Sequence, residues 1–522
     1  MEETYLNSNP KNPVIGFRAF GSDANHVSKH TAAFVKGMES TSVLSCIKHF
    51  PGHGDTDKDS HLELPTVSHS ESRFKSVDFI PFKSGIEAGT SAVMVAHLNV
   101  PQLDPSGVPS SLSKKVIQGY LRKDLGFKGL VVSDALNMSA VAEKYGKADV
   151  VARAYLAGCD ILLYPESIGE AIDLIKKKID AGEFEVSEVN ARCKNVLKAK
   201  YKAIIAKPMV KRPDPSAERN LAINQVFEKA ITVIKNDKQL LPLDRLDRKI
   251  IRIGVGPYAY DFQERLDDYA EVEHLRYFTV SEAIERLKNK KFPKDAVIIV
   301  DLHGVNQRIK NNYGFGNWEE LMNQLPEDNE VILSLFGNPL TLENMSKLPS
   351  SVDACIIAYE NHIQMQDRVA QFIMGAFDVN GKLEADINDT WKRGAGLSVK
   401  GNGRLKYTTP EELNFSSAKL AEIDAIVDNA IKVKALPGCQ VVVAVEGKVT
   451  YQKSFGTTMY EKGDSITNDH IYDLASITKI ASSTVSLMKL KSEGKFDVNS
   501  TLGQLVPEYT EGTEYAKLKS ID

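Results

Sequence analysis

Residues 129–135 read GLVVSDA, a run of small and apolar side chains that ends in a carboxylate. Three further apolar runs are SVLSCIKHF (42–50), SAVMVAHLNV (91–100) and CDILLYP (159–165). Helical patterns lie around and between these runs, at about residues 25–39, 72–89, 113–124, 147–157 and 167–206. Continuous apolar strands that alternate with amphipathic helices are typical of βα units, whose parallel sheet is covered on both faces. The pattern therefore predicts a parallel α/β region.

The four apolar runs end in the polar or chemically active pairs KH, AH, SD and YP. Active groups at the carboxyl ends of parallel strands are typical of a (β/α)8 barrel. Such a barrel needs eight strands, and only four are visible. We therefore expect residues 1–212 to form the C-terminal half of a barrel, in a chain that is truncated at both ends.

Two polar stretches, 207–222 and 392–412, predict linkers because they are rich in proline or in glycine, lysine and threonine. Between them, the runs AITVIKN, IIRIGVGP, DAVIIVDLHG, EVILSLFGNP and VDACIIAYEN alternate with helical stretches and predict an α/β sandwich domain over 223–395. Residues 413–522 combine a helix, two strands that turn at Glu446-Gly447, and a second helix. This last segment predicts the beginning of an α+β domain.

The composition excludes several classes of function. A net charge of −4 favours neither nucleic acid nor an anionic membrane as a partner. No apolar run is long enough to span a bilayer. The five cysteines lack any CxxC spacing, so neither a disulfide framework nor a cysteine-built zinc site is expected. Cys46, Cys159 and Cys355 lie in apolar runs and are predicted to be buried thiols.

The stretch KHFPGHGDTDKDSH (48–61) is the first candidate site. A metal site is one hypothesis, but Pro51, Gly52 and Gly54 break the helix on which paired histidine ligands would lie. A phosphate cradle would need a basic residue after the glycines, and acidic residues follow instead. A structural loop is the third alternative. The fourth is acid/base chemistry, because Asp59 is close enough in sequence to orient His61 as a proton donor.

Asp134 is the candidate partner of His61. Both residues would lie at the catalytic face of a barrel, where they would flank one bond, one as the nucleophile and the other as the proton donor. The alternative for Asp134 is the N-cap of a following helix.

These residues carry a resemblance to a known family. NPVIGFRAFGSD (12–23), KHFPGHGDTDKDSH, LRKDLGFKGLVVSDALNM (121–138) and AGCDILLYP (157–165) closely resemble the N-terminal barrel of glycoside hydrolase family 3, in its bacterial β-N-acetylglucosaminidase branch. The resemblance implies Asp134 as the nucleophile and His61 as the acid/base residue, oriented by Asp59. It also implies that Lys48, His49 and Arg18 bind sugar hydroxyls.

The implied activity is retaining exo-hydrolysis of a terminal β-linked N-acetylglucosamine, with an amino-sugar glycoside as substrate and without metal or cofactor. Three alternatives stay open: a β-glucosidase-type enzyme, a phosphorolytic enzyme, and an inactive saccharide-binding remnant of a truncated chain. EKAITVIKNDKQLLPL (228–243) and FIMGAFDVNGKLEADI (372–387) resemble the family's C-terminal α/β sandwich, which would be accessory in this branch.

A second candidate site is the SITK motif, which places Ser476 and Lys479 one helical turn apart. The motif alone is weak, since SCIK, SLSK and SLMK also occur. Its context, from PGCQVVVAVEGKVTYQKSFG to LKSEGKFDVNSTLGQLVPEY, resembles the start of serine β-lactamase-like and penicillin-binding-protein-like domains. The resemblance implies Ser476 as nucleophile and Lys479 as its activator, and a helix N-cap serine is the alternative. The family's Tyr-x-Asn and Lys-Thr-Gly elements are missing, so this region is expected to be inactive as given.

The fusion of these two regions favours a cell-wall saccharide as substrate. It also favours the periplasm or cell envelope as the location of the full-length protein, although no signal peptide is visible. No oligomeric state is predicted.

Overall fold

The computed structural model describes residues 2–3, 12, 15, 18–41, 43–56, 63–205, 216–257, 259–304 and 316–519. The chain divides into two compact units: Met1–Ser417 together with Ala444–Thr450, and Ala418–Val443 together with Tyr451–Asp522. Among the described residues, no helix combines the length and apolar character that crossing a bilayer requires.

The first unit begins with a parallel sheet whose strand order follows the chain. Its described strands are β1 (Glu2–Glu3), β2 (Cys46–Phe50), β3 (Ala92–Val95), β4 (Leu130–Ala135) and β5 (Ile161–Leu163). The predicted parallel α/β architecture is confirmed. Expecting four strands was wrong, because β1 is a two-residue polar segment that leaves no apolar run in the sequence.

Helices cover one face of this sheet and bury a continuous apolar core. The described helical segments of this region are Ala24–Glu39, Glu71–Arg73, Phe74–Asp78, Phe79–Glu87, Ser110–Leu112, Lys115–Asp124, Ser139–Tyr145, Lys147–Ala157, Ile168–Asp180, Val186–Lys200 and Tyr201–Ile205. Ile47, Val93 and Val131 supply the strand side of the core, and Phe82 and Val151 supply part of the helix side. Burying each such side chain stabilises the fold by about 1.5–3 kcal/mol.

A smaller cluster lies against the opposite face of the sheet. It contains Cys46, Ala92, Met94, Leu130 and Val132, and Val196 and Ala199 of the helix Val186–Lys200 pack against it. Successive side chains of a strand point to opposite faces. Lys48 therefore shares the face of Cys46, and Asp134 shares the face of Val132, which places both at the carboxyl ends of their strands on one side of the sheet.

The second sheet has six strands among the described residues, in the order β6-β11-β10-β9-β7-β8. They are β6 (Thr232–Asn236), β7 (Ile250–Val255), β8 (Val272–Tyr277), β9 (Val297–His303), β10 (Glu330–Phe336) and β11 (Ala354–Ile357). Among the described strands of this sheet, only β6 is antiparallel to its neighbour. Five of the six strands were predicted. β8 was missed because it is an edge strand of mixed polar sequence, VEHLRY, with only its first residue buried.

Two apolar cores lie on either side of this second sheet, as is typical of a parallel sheet covered on both faces. Ile299 and Ile332 face one core, whereas Val300 and Leu333 face the other, as the two-residue period of a strand requires. The described helices of this region are Ser216–Ala230, Tyr260–Asp267, Val280–Leu287, Trp318–Asn323 and Ile363–Ile373, with short 3₁₀ turns at Asp237–Gln239, Pro339–Leu342 and Pro410–Leu413.

The remaining strands are β12 (Lys406–Tyr407), β13 (Gly438–Val445) and β14 (Lys448–Gly456). The predicted turn between the last two is present: Glu446 and Gly447 have φ values of +52° and +73°, as a type I′ hairpin turn needs. The remaining described helical segments are Ser417–Leu420, Glu422–Lys432, Ala475–Ile477, Lys479–Thr484, Val485–Ser492, Leu502–Leu505, Pro507–Thr510 and Glu514–Lys517.

Candidate active site

Asp134 lies in β4 near its carboxyl end and is mostly buried, with 13% of its side chain exposed. Its Oδ1 atom accepts a hydrogen bond from the backbone N–H of Ala135 at 2.8 Å. The next helix begins at Ser139 and has Met138 at its N-cap position. Asp134 is therefore not the N-cap of this helix, which was the alternative role for the residue.

His49, in β2, lies beside the carboxylate of Asp134. Its Nε2 atom lies 3.6 Å from Asp134 Oδ2, and 10% of the histidine side chain is exposed. Burial alone would raise the pKa of Asp134, but His49, His97 and the Ala135 N–H together lower it below its usual value. The carboxylate is thereby kept ionised, which is the state a nucleophile requires.

His53 was given no role by the sequence analysis, yet it lies beside this pair. Its ring centroid is 6.2 Å from that of His49, and its Nδ1 atom is 2.9 Å from Thr56 Oγ1. Asn12 donates hydrogen bonds to the His53 carbonyl and to Thr56 Oγ1. Burial and the neighbouring His49 lower the pKa of His53 to about 4, so the ring is neutral at neutral pH.

His97 is a second site residue to which the sequence analysis gave no role. It lies two residues beyond β3, is fully buried, and its Nε2 atom is 3.0 Å from the carbonyl oxygen of Ala135. The signal was present in the sequence as the AH pair at a strand end. It was not interpreted because no acidic residue stands near it in the chain.

Two of the three residues proposed to bind sugar hydroxyls, Lys48 and Arg18, are partly exposed. Lys48 lies on the same face of the sheet as Asp134. The positive charge of Arg18 is one of the groups that lower the pKa of His53, so the guanidinium lies near His53. Asp59 and His61 lie outside the described residues, and their roles stay predictions.

The first residues of the candidate loop, Gly52 to Asp55, contact residues that follow the loop in the chain. His69 Nε2 lies 2.9 Å from Asp55 Oδ2. Gly52 has φ +135° and packs so closely that a Cβ atom there would lie 3.1 Å from the Cβ of Asp78. Burial raises the pKa of Asp78 to about 6, although the nearby Arg73 and His69 oppose this effect. The positive φ angle and the close contact with Asp78 therefore favour glycine over any larger residue at position 52.

Metal binding was one alternative for this stretch. Among the described residues, no group of three or more histidine, cysteine, aspartate or glutamate side chains is arranged to hold a metal ion. Within residues 48–56, His49 lies 3.6 Å from Asp134 and His53 lies 2.9 Å from Thr56.

The second candidate site has the geometry that its motif predicts. Lys479 Nζ donates a hydrogen bond to Ser476 Oγ at 3.0 Å, and both residues are exposed. Ser476 lies inside the short helix Ala475–Ile477, whose N-cap is Leu474, so it is not a capping serine.

Comparison with known proteins assigns both regions. Residues 5–199 match the model of the glycosyl hydrolase family 3 N-terminal domain, and residues 423–518 match the beta-lactamase model. Beta-hexosaminidase A of Pseudoalteromonas piscicida is 35% identical over 262 residues, which cover 46% of this chain and 44% of that protein. A beta-hexosaminidase of Stenotrophomonas maltophilia K279a is 39% identical over 168 residues, 32% of this chain and 49% of that protein.

Two solved structures of related enzymes have a similar fold. A glycoside hydrolase family 3 beta-N-acetylglucosaminidase from Paenibacillus sp. FPU-7 superposes with a TM-score of 0.62 at 25% identity, over 74% of this chain and 76% of that one. A beta-glucoside phosphorylase shares the fold, with a TM-score of 0.62 at 21% identity, over 74% of this chain and 73% of that one. The chain spans about half the length of the curated relatives it matches.

The parallel α/β fold, with an ionised carboxylate and histidines at its strand ends, is similar to that of the solved family 3 beta-N-acetylglucosaminidase. Residues 5–199 are thus similar to the glycosyl hydrolase family 3 N-terminal domain, and residues 423–518 are similar to the beta-lactamase family.

Proposed function

We propose that the protein is a retaining β-N-acetylhexosaminidase that removes terminal β-linked N-acetylglucosamine. The observation that carries this proposal is the buried, ionised carboxylate of Asp134 at the end of β4, with His49 at 3.6 Å. The names of the curated relatives, beta-hexosaminidases at 35–39% identity, support the choice of sugar.

The reaction would proceed by double displacement. Asp134 attacks the anomeric carbon and forms a glycosyl ester, while the bond to the leaving oxygen breaks and that oxygen takes a proton from His61. A water molecule then gives a proton to His61 and attacks the same carbon. The ester bond breaks, and the carboxylate of Asp134 is restored. Asp59 would orient the imidazole of His61.

Sugar recognition would fall to Arg18, Lys48 and His49. Lys48 shares the sheet face of Asp134, and His49 contacts the carboxylate directly, so the three are suited to holding the ring next to the nucleophile. In this proposal residues 1–212 are the C-terminal half of a (β/α)8 barrel, residues 223–395 are an accessory α/β sandwich, and residues 413–522 begin a β-lactamase-like domain.

For that last region we propose Ser476 as nucleophile and Lys479 as its activator, on the basis of their 3.0 Å hydrogen bond. A fluorescent penicillin tests these roles: any acylation should be lost in Ser476→Ala and kept in Ser486→Ala, which alters the neighbouring SLMK motif. Acylation that survives in Ser476→Ala would contradict the assignment. The pairing of the two regions favours cell-wall saccharides as substrates, and the periplasm or cell envelope as the location.

The deciding experiment compares p-nitrophenyl β-N-acetylglucosaminide with the β-glucoside, each with and without phosphate. We expect the N-acetylglucosaminide to be the better substrate and phosphate to be unnecessary. Asp134→Ala should lower kcat by about 10⁴-fold or more, because the covalent intermediate cannot form. Asp149→Ala is the control, since Asp149 is an exposed residue of the helix Lys147–Ala157 that pairs with Arg153.

The other outcomes select the alternatives. Preference for the glucoside would identify a β-glucosidase-type enzyme, and acceleration by phosphate would identify a phosphorylase. Saccharide binding without turnover in the parent protein would identify a binding remnant, and full activity in Asp134→Ala would refute the proposed nucleophile.

A further inference from the structure

His97 is a fully buried histidine beside the candidate nucleophile, and both of its ring nitrogens are engaged. Its Nε2 atom lies 3.0 Å from the carbonyl oxygen of Ala135, and its Nδ1 atom lies 2.5 Å from Ser111 Oγ. Ser111 is itself held, because its backbone N–H donates to the carbonyl of Ala96 at 3.0 Å. The imidazole is therefore fixed in position and in orientation.

These partners determine where the proton of the ring resides. A carbonyl oxygen only accepts, so the Nε2 atom of His97 must carry the proton that it shares with Ala135. In the neutral ring, Nδ1 then accepts the hydroxyl proton of Ser111. Burial lowers the pKa of His97, which keeps the ring in this neutral form near neutral pH.

Ala135 is constrained on both sides. Its N–H donates to Asp134 Oδ1 at 2.8 Å, and its carbonyl accepts from His97 and from the backbone N–H of Met138 at 3.1 Å. The direction of the Asp134 carboxylate thus depends on the peptide units around Ala135. His97, two residues beyond the neighbouring strand β3, contacts one of these units through the Ala135 carbonyl.

We propose that His97 is a positioning residue for Asp134: through the carbonyl of Ala135 and with the support of Ser111, it sets the angle at which the nucleophile meets the anomeric carbon. This inference rests on the proposed function. It assigns His97 no proton transfer and no contact with the sugar.

The test uses His97→Ala, His97→Gln and Ser111→Ala in the full chain, with p-nitrophenyl β-N-acetylglucosaminide as substrate. In His97→Ala we expect kcat to fall by about 10²-fold while KM changes little, because a displaced nucleophile affects the transition state more than it affects binding. Glutamine can present an amide N–H close to the Nε2 position, so His97→Gln should recover about tenfold of the loss. Ser111→Ala should lie between His97→Gln and the parent.

Circular dichroism and melting temperatures establish that each variant is folded. If His97→Ala does not fold, the comparison of His97→Gln with Ser111→Ala decides, and parent-like kcat in both would overturn the proposal. Equal losses in folded His97→Ala and His97→Gln would also overturn it, as would a loss confined to KM.

Asp134→Asn separates this inference from the proposed function. An inactive Asp134→Asn combined with a fully active, folded His97→Ala refutes only the positioning role. An active Asp134→Asn refutes the nucleophile itself.

Discussion

The Nε2 atom of His49 lies 3.6 Å from Oδ2 of Asp134, and most of both side chains is shielded from solvent. The resemblance implied only that His49 binds a sugar hydroxyl. Its position shows that it also acts electrostatically on the carboxylate, since it is the first of the groups that lower the pKa of Asp134 against the effect of burial.

We therefore predict that His49→Gln raises the pKa of Asp134 and moves the acidic limb of the kcat/KM–pH profile to higher pH. The rate at neutral pH should fall by about 10²-fold, because one polar partner of the reacting groups is lost. His274→Gln is the matched control, since His274 of β8 pairs with Asp267 of the helix Tyr260–Asp267 and not with a residue of the candidate site. An unshifted acidic limb in His49→Gln would contradict the electrostatic role.

His53 predicts how stability depends on pH. Its pKa falls from 6.5 to about 4 in the folded protein, so on acidification the unfolded chain takes up the proton first. The stability that neutral His53 contributes is complete above pH 6.5 and is lost as the pH falls from there toward 4. His53→Gln should flatten this part of the curve of melting temperature against pH.

His470→Gln, in the second unit, provides the matched substitution for that experiment. The parent and His53→Gln are compared at intervals between pH 7 and pH 4. Parallel curves for these two proteins would show that His53 does not bring about the loss of stability in acid.

The buried ion pair of the second sheet should be costly to break. Arg252 donates to Asp301 through Nε at 2.8 Å and through its terminal nitrogen at 2.5 Å, and both side chains are fully buried. His303 adds a third contact to Asp301 at 2.7 Å. Asp301→Asn leaves the guanidinium without its counter-charge, and it should lower the free energy of unfolding by about 3–5 kcal/mol.

Denaturant unfolding measures this loss, and the exposed pair of Arg245 and Asp247 supplies the control. Asp247→Asn should produce no measurable change, because solvent screens that pair. If the two variants unfolded at the same denaturant concentration, the ion pair in the second sheet would not be a stabilising element.

Chelation tests the chemistry of the proposed reaction. The double displacement needs only a carboxylate and an acid/base histidine, so dialysis against EDTA should leave kcat and KM unchanged. Inactivation that added zinc or magnesium reverses would refute this mechanism and restore the metal alternative for residues 48–61.

Most of the architecture followed from hydrophobic patterning, because strands covered on both faces are long apolar runs. Patterning failed at two edges. β8, VEHLRY, mixes polar and apolar residues without a regular period, and β1 is two glutamates. Both lie at the margin of a sheet, where burial no longer selects apolar side chains.

Polar residues at strand ends were the signal for the proposed site residues Lys48, His49 and Asp134, whose roles stay predictions. His53 and His97 were missed, because their roles depend on partners that only folding brings near. The main contact of His97 is a backbone carbonyl 38 residues away. No sequence motif encodes such a bond.

Side chains alternate between the two faces of the sheet along β2 and β4, and this alternation limits which insertions and deletions the strands can accept. Lys48 and Asp134 share a side of the sheet only because an even number of residues separates each from the apolar side chains beneath it. Deleting or inserting one residue between Leu130 and Asp134 would move the carboxylate to the other face of the sheet, which carries Val131, and place Ala135 or Ser133 at its position. A point substitution of an apolar residue in these strands alters packing, whereas a single-residue length change would displace the proposed nucleophile while leaving Asp134 in the chain.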